Sequence, residues 1–287
     1  MKRREMLIAT GAAVLGLSAR FTFGADAARK RPKLLYFTRS AGFEHPPVIR
    51  KGKEPSHSEK LLLQWGDENG FDVVCTKDGA VFDGDIDQFD AFVFYTSGDL
   101  TQKSDKPQPG QPMSPEGKKR FLSAIAAGRG FVGIHSATDT FRGGEQPDPY
   151  IKMIGGEFIN HGAMQDATMK VVSPDFPGME GLGNSFRIHD EWYAQIRFPK
   201  DLHVILVQET EGMNGKMYQR PPYPATWARM HEKGRVFYTS MGHDGIWNTP
   251  TFRKVLLGGI DWAVRRSGND VKPNVEQFAP EANKTEK

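Results

Sequence analysis

Between residues 33 and 134 short apolar runs alternate with amphipathic segments, and this alternation constrains the fold more tightly than any other feature of the chain. Residues 33–38, 71–76, 89–95 and 130–134 are brief and rich in Leu, Val, Phe and Tyr. Each stops at a polar or turn-forming cluster, as buried strands do. After the first, Ser56 or Ser58 caps a helix with Leu61, Leu62, Leu63 and Trp65 on its apolar stripe and Asn69-Gly70 at its end. Ser114-Pro115 opens a second helix, with Phe121, Leu122, Ile125 and Ala126 at 3–4 spacing and Gly128 as its stop. Such an order predicts an α/β fold with a mostly parallel sheet and helices on both faces. Ligands of such sheets sit beyond the carboxyl ends of the strands, which directs residues 39–47, 95–100 and 135–144 to one region. Residues 101–112, rich in Pro, Gln, Lys and Gly, read as a surface loop or lid.

The C-terminal half is more β-rich. Residues 167–172, 202–208, 225–230 and 235–240 read as strands, and 249–266 as a closing helix with Phe252, Val255, Leu256, Ile260 and Ala263 on one stripe. Residues 267–287 are polar and read as a loose tail. At the other end, Lys2, Arg3 and Arg4 precede an almost wholly apolar or small run, Met6 to Leu17, and Ala25-Asp26-Ala27 forms a cleavage pattern. That run is shorter than the about 20 residues a bilayer span needs. Residues 1–27 therefore read as a twin-arginine signal peptide that sends the 33–266 domain to the periplasm, with no membrane span after cleavage. A route that carries folded proteins also hints at a cofactor or metal acquired before export.

Charge and cysteine exclude several functions. The chain has 38 Lys and Arg against 35 Asp and Glu, and residues 1–27 take away four basic groups (Lys2, Arg3, Arg4, Arg20) and two acidic ones (Glu5, Asp26). The remainder is close to neutral, which argues against nucleic acid or an anionic membrane as partner. Cys75 is the single cysteine, so no intrachain disulfide forms, and it reads as a small buried hydrophobe.

The chemistry concentrates at strand ends. Gly133-Ile134-His135-Ser136-Ala137 has the small-residue frame of a nucleophile elbow, with His at its centre where Ser or Cys would stand. An imidazole there suits a metal ligand or a general acid/base. His45 follows the first strand and His243 the last, so His45, His135 and His243 are expected to meet and to form a site for a divalent ion such as Zn or Mn. His161 lies beside Gly155-Gly156, and His189-Asp190-Glu191-Trp192-Tyr193 sets two carboxylates next to two aromatic rings. Without metal, the same groups make a proton-transfer set. Phe43, Phe141, Trp192, Tyr193, Trp227 and Trp247 offer ring faces for a sugar, with Trp192 and Trp247 favoured because each adjoins a polar cluster. His57, His203 and His231 read as a helix-start, a strand and a surface residue.

Gly42-Phe43-x-His45, Gly133-Ile-His-Ser-Ala-Thr-Asp139, Gly155-Gly-x-Phe158-x-x-His161, Asp190-Glu-Trp-Tyr193 and Arg235-Val-Phe-Tyr-Thr-Ser-Met-Gly-His243 together resemble the ThuA-like (trehalose-utilisation) family, in order and over residues 33–266. The resemblance implies a three-layer, flavodoxin-like fold related to class I glutamine amidotransferases. It implies a pocket of His45, His135, Asp139, His161, Glu191 and His243, and a carbohydrate substrate. Glutamine hydrolysis is not expected, because that activity needs a Cys at the elbow and this chain has His135 there.

The expected function is an exported enzyme of sugar catabolism acting on glycosides or 3-keto-glycosides by proton abstraction and elimination, or by hydrolysis. His135, Glu191 and His161 are its catalytic candidates, and Phe43, Asp139, Trp192, Tyr193 and Trp247 its substrate-binding ones. A non-catalytic sugar-binding accessory protein is the alternative. A conventional glycosidase ranks third, because adjacent Asp190 and Glu191 do not straddle a substrate. The sequence leaves a homo-oligomer open.

Overall fold

The computed structural model describes residues 31–104 and 106–286. The signal-peptide expectation for residues 1–27 lies outside them. The amino-terminal half runs β1 (Lys33–Phe37), α1 (His57–Asn69), β2 (Asp72–Thr76), β3 (Ala91–Phe94), α2 (Pro115–Ala126), β4 (Gly130–Ile134) and α3 (Pro149–Ile154). The remainder is β5 (Glu157–His161), β6 (Gln165–Val171), β7 (Ser185–Asp190), β8 (Tyr193–Ile196), β9 (His203–Gln208), β10 (Tyr223–His231), β11 (Gly234–Thr239), α4 (Pro250–Ala263) and α5 (Val275–Phe278).

Nine strands form one sheet in the order β2-β1-β3-β4-β11-β10-β9-β6-β7. The pairs from β2 to β11 are parallel, and those from β11 to β7 are antiparallel. The expectation of a mostly parallel sheet thus holds only for its first half. The last strand, β11, inserts between β4 and β10 and joins the two halves. β5 and β8 form a separate antiparallel ribbon that pairs His161 with Tyr193.

Local chemistry explains the helix ends. Ser56 and Glu59 cap each other's backbone at the start of α1, a reciprocal capping box, and Gly70 closes that helix with φ 73°. Ser58 instead donates its hydroxyl to the Pro47 carbonyl. Ser114 caps α2 and Thr249 caps α4, each followed by Pro in the first turn. Alternate residues of β1 enter two hydrophobic clusters. Leu34 and Tyr36 join Leu62, Trp65 and Phe252, whereas Leu35 and Phe37 join Phe121, Ile125 and Tyr150. Each fully buried side chain of this size contributes about 1.5–3 kcal/mol.

The end of the chain departs from its expected looseness. Val275, Ala279 and Ala282 are buried. The Asn274 carbonyl oxygen of the side chain accepts from the Val204 amide, and Asn283 bonds both the amide and carbonyl of Phe198. A few apolar residues at helical spacing anchor an otherwise polar segment, so average composition concealed its docking. Cys75 is half-buried and its thiol is pushed up to about 12 by burial. No helix among the described residues is long and apolar enough to cross a membrane.

Candidate functional site

Backbone bridges Ser40–Ser97 and Gly98–Thr140 draw together the segments that follow β1, β3 and β4. His135, the first residue after β4, has φ 48°, the left-handed region that non-glycine residues seldom occupy. A helical turn, His135–Asp139, follows at once. This is the strained strand-to-helix elbow expected from the sequence, with imidazole in the central place. Gly242 presses on it: a Cβ there would lie 2.8 Å from both His135 Cβ and Ile134 Cγ2. Ser136, beside it, is buried.

Four imidazoles surround the Glu191 carboxylate. Its Oε2 lies 3.4 Å from His135 Nε2 and 3.8 Å from His45 Nε2, and its Oε1 lies 3.3 Å from His161 Nδ1 and 4.0 Å from His243 Nε2. The neighbouring Asp190 anchors this arrangement, since its carboxylate accepts the amides of Glu191 and Gly242 at 2.9 and 2.8 Å. Burial pushes the Asp190 carboxyl up to about 7. Burial also opposes ionisation of Glu191, but the surrounding imidazoles, His135 and His45 foremost, hold its carboxyl well below the usual carboxylate range. Asp190 is therefore a backbone clamp, and the two adjacent carboxylates do not form a glycosidase pair.

The tautomer of His135 follows from its partner. Nδ1 lies 2.7 Å from the Ser240 carbonyl oxygen, which only accepts, so Nδ1 carries the proton and Nε2 a lone pair. Three imidazole nitrogens here are buried without a hydrogen-bond partner: His45 Nδ1, His135 Nε2 and His243 Nδ1. Burial pushes the His135 imidazole down to about 4, against the pull of Glu191.

This shift has a testable sign. Unfolded, His135 titrates near 6.5, so between about pH 4 and 6.5 the unfolded chain binds more protons. Its contribution to stability is present above about pH 6.5 and is lost as pH falls to about 4. Asp190 runs oppositely: its contribution is present below about pH 3.9 and is lost as pH rises through about 7. The difference between wild type and His135→Asn isolates the histidine, because Asn keeps a donor for Ser240 and tolerates the left-handed backbone. In metal-free buffer, that difference, read by denaturant unfolding, should grow by roughly 3 kcal/mol from pH 4 to 6.5. A difference constant with pH would show that His135 is charged when folded.

A cleft of about 570 Å³ opens beside Glu191. His45, His161, Glu191, Tyr193, Asp139 and Phe43, all expected from the sequence, line it. Phe43 is 62% exposed at its edge. Phe158 and Arg142 also line it, and neither stood among the expected site residues. The Arg142 guanidinium pairs with Asp139 and lies 5.2 Å from the centre of the Phe158 ring. Phe158 does fall inside the Gly155-to-His161 motif, which was the available signal.

Other expectations fail. Trp192 and Trp247 do not face the cleft: both are buried, with their indole N–H groups bonded to the carbonyls of Gln165 and Gly242. Trp247 stacks between Tyr95 and Trp65, 6.2 and 5.9 Å away. Adjacency in sequence to a polar cluster did not reveal that these rings point into the core beneath it. Trp227 and Phe141 are buried as well. The expected triad of His45, His135 and His243 also changes. One donor atom each of His45, His135 and Glu191 lie within 4.8 Å of one another, whereas the His243 ring centre stands 5.7 Å from those of His45 and His135.

The ThuA family model, described as trehalose utilisation, matches residues 33–263. A ThuA-like protein from Bacteroides uniformis superposes with TM-score 0.62 at 18% identity, over 86% of this chain and 98% of that one. A ThuA-like protein from Parabacteroides merdae does so with TM-score 0.61 at 18% identity, over 85% and 94%. At these identities the likeness speaks for the fold alone. No curated protein matches the chain in sequence.

Proposed function

The chain belongs to the ThuA family, described as trehalose utilisation, and on that premise we propose that it is an exported enzyme of sugar catabolism that cleaves glycosides, in the most specific version 3-keto-glycosides. The observation that carries this reading is the convergence of aromatic faces and proton-transfer groups on one cleft. Phe43 and Phe158 supply rings for the C–H faces of a pyranose, and His161, Glu191 and Asp139 supply polar contacts, whereas Tyr193 lines the cleft with its ring buried 4.2 Å from those of His135 and Phe158. The arginine pair Arg3-Arg4 and the apolar run after it support export to the periplasm by the twin-arginine route. Opposed clustering of β1 side chains with α1 and α4 or with α2 and α3 supports a three-layer, flavodoxin-like arrangement.

The proton chemistry centres on His161. Its Nδ1 faces two acceptors, the Gly162 carbonyl at 2.9 Å and Glu191 Oε1 at 3.3 Å, so Nδ1 carries the proton. Nε2 is left free to take one from the substrate, and the Glu191 carboxylate steadies the imidazolium that results. A 3-keto group acidifies the C2 proton. Transfer of that proton to His161 leaves an enolate across C2 and C3. The C1–O bond then breaks, the glycosidic oxygen recovers the proton as an alcohol, and water adds to the enone to give the free 3-keto sugar. His135 is fully buried, so it stands behind Glu191 and does not touch substrate.

The test is to supply 3-keto-trehalose or a 3-keto-glucoside, with and without added Mn²⁺ or Zn²⁺, and to follow release of free sugar. Release from the keto substrate but not from the parent glycoside is expected. Saturable binding without turnover would replace this reading with a sugar-binding accessory role. Neither binding nor turnover with any keto-glycoside would end it.

A further inference from the structure

The centre of the site brings together groups that repel unless something lies between them. His135 Nε2 is buried, holds a lone pair because Nδ1 donates to Ser240, and has no hydrogen-bond partner. Its nearest charged neighbour is Glu191 Oε2 at 3.4 Å, another lone-pair atom. His45 Nε2 stands 3.8 Å from the same oxygen. The nitrogen of His45 also lies 3.1 Å from the Tyr193 hydroxyl, and His45 Nδ1 bonds nothing among the described residues, so the tautomer with its lone pair at Nε2, in which the phenol donates, is open to this side chain. In that tautomer two imidazole nitrogens and one carboxylate turn their lone pairs to one point.

We propose that His45 Nε2, His135 Nε2 and the Glu191 carboxylate bind a divalent cation of the Zn²⁺ or Mn²⁺ class, and that the Tyr193 hydroxyl occupies His45 until the cation displaces it into the cleft. The donor set is the right one: two His and one carboxylate, with positions left open, suit these ions. Ligand distances of about 2.0–2.2 Å place donors roughly 3–3.5 Å apart, so the 3.4 and 3.8 Å to Glu191 need little change, and the three donor atoms, all within 4.8 Å of one another, draw together around the ion. The bond from His135 Nδ1 to a backbone carbonyl is the kind that orients a metal-bound imidazole and raises its basicity. The lone pair of His45 Nε2 cannot serve a cation and the Tyr193 proton together. Loading therefore frees the phenol, and because Tyr193 lines the cleft, the freed hydroxyl is placed to donate to an oxygen of whatever lies there. The cation site does not depend on the sugar reading; a sugar as recipient of the Tyr193 bond does.

The experiment is calorimetric titration of chelator-stripped protein with MnCl₂ or ZnSO₄. Wild type should take one equivalent. Glu191→Gln, which keeps size and shape, and His45→Gln, which leaves the strained elbow untouched, should take none, with melting in chelator close to wild type. Tyr193→Phe removes the competitor and should bind about fivefold more tightly. Absence of stoichiometric binding with both ions, or binding undiminished by Glu191→Gln, overturns the site. Equal or weaker binding by Tyr193→Phe overturns the exchange. A wild type that binds no cation yet cleaves a keto-glycoside refutes this inference and spares the sugar reading, and a cation-binding protein inert to every sugar does the reverse.

Discussion

Glu191→Gln is expected to lower sugar release from a 3-keto-glycoside by about 10²–10⁴-fold while leaving the fold intact. The carboxylate is the one group that touches all four imidazoles of the site. Its Oε1 faces the protonated Nδ1 of His161, so it sets the tautomer of the proposed base and balances the charge that forms when a proton is taken. Glutamine fills the same space and can donate its amide to the His135 lone pair, so packing survives. What disappears is the negative charge. Steady-state kinetics with matched melting curves would check this. A variant within about threefold of wild type would remove Glu191 from the reaction.

The second large effect concerns stability and lies near the site rather than in it. Glu59→Ala should cost about 3–5 kcal/mol of folding free energy. Glu59 is fully buried, accepts two nitrogens of Arg50 at 2.6–3.0 Å, accepts the Ser56 amide at 2.8 Å and bonds the Thr38 hydroxyl at 3.1 Å. Burial opposes its charge, yet Arg50 and the Ser56 amide outweigh that and hold its carboxyl below the ordinary value. The contribution is present above about pH 4.3 and fades as pH falls further. Alanine leaves Arg50 without its partner and removes the Glu59 half of the capping box at α1. Thermal unfolding should shift down by roughly 10 °C for a domain of this size. A loss under about 1 kcal/mol would show that the pair is not coupled to folding.

The parallel half of the molecule was legible because its strands are apolar throughout and its helices carry explicit caps such as Ser56 and Ser114. His45, His135 and His243 could be placed together because each follows a strand of the same sheet. Elsewhere the signals were too weak. β5 reads Glu-Phe-Ile-Asn-His with three exposed residues, and β8 is nearly all buried, so neither shows the alternation that marks a half-buried strand. That ribbon delivers His161 and Tyr193, and without it the central role of Glu191 over His243 could not be read. The tryptophans misled for a related reason. Position along the chain places a residue near a loop but does not say which face its side chain takes.

The insertion of β11 between β4 and β10 carries a consequence for the order of assembly. His135 reaches the carbonyl that sets its tautomer across 105 residues, and Tyr193 reaches His45 across 148. During synthesis the first four strands emerge with His45 and His135 already in place along the chain, but the strand that brings Ser240 and Gly242 arrives last. Contacts so distant in sequence form slowly and late. Competence of the site is thereby a report that folding has finished: a nascent or truncated chain carries His45 and His135, yet lacks the backbone carbonyl that sets the His135 tautomer.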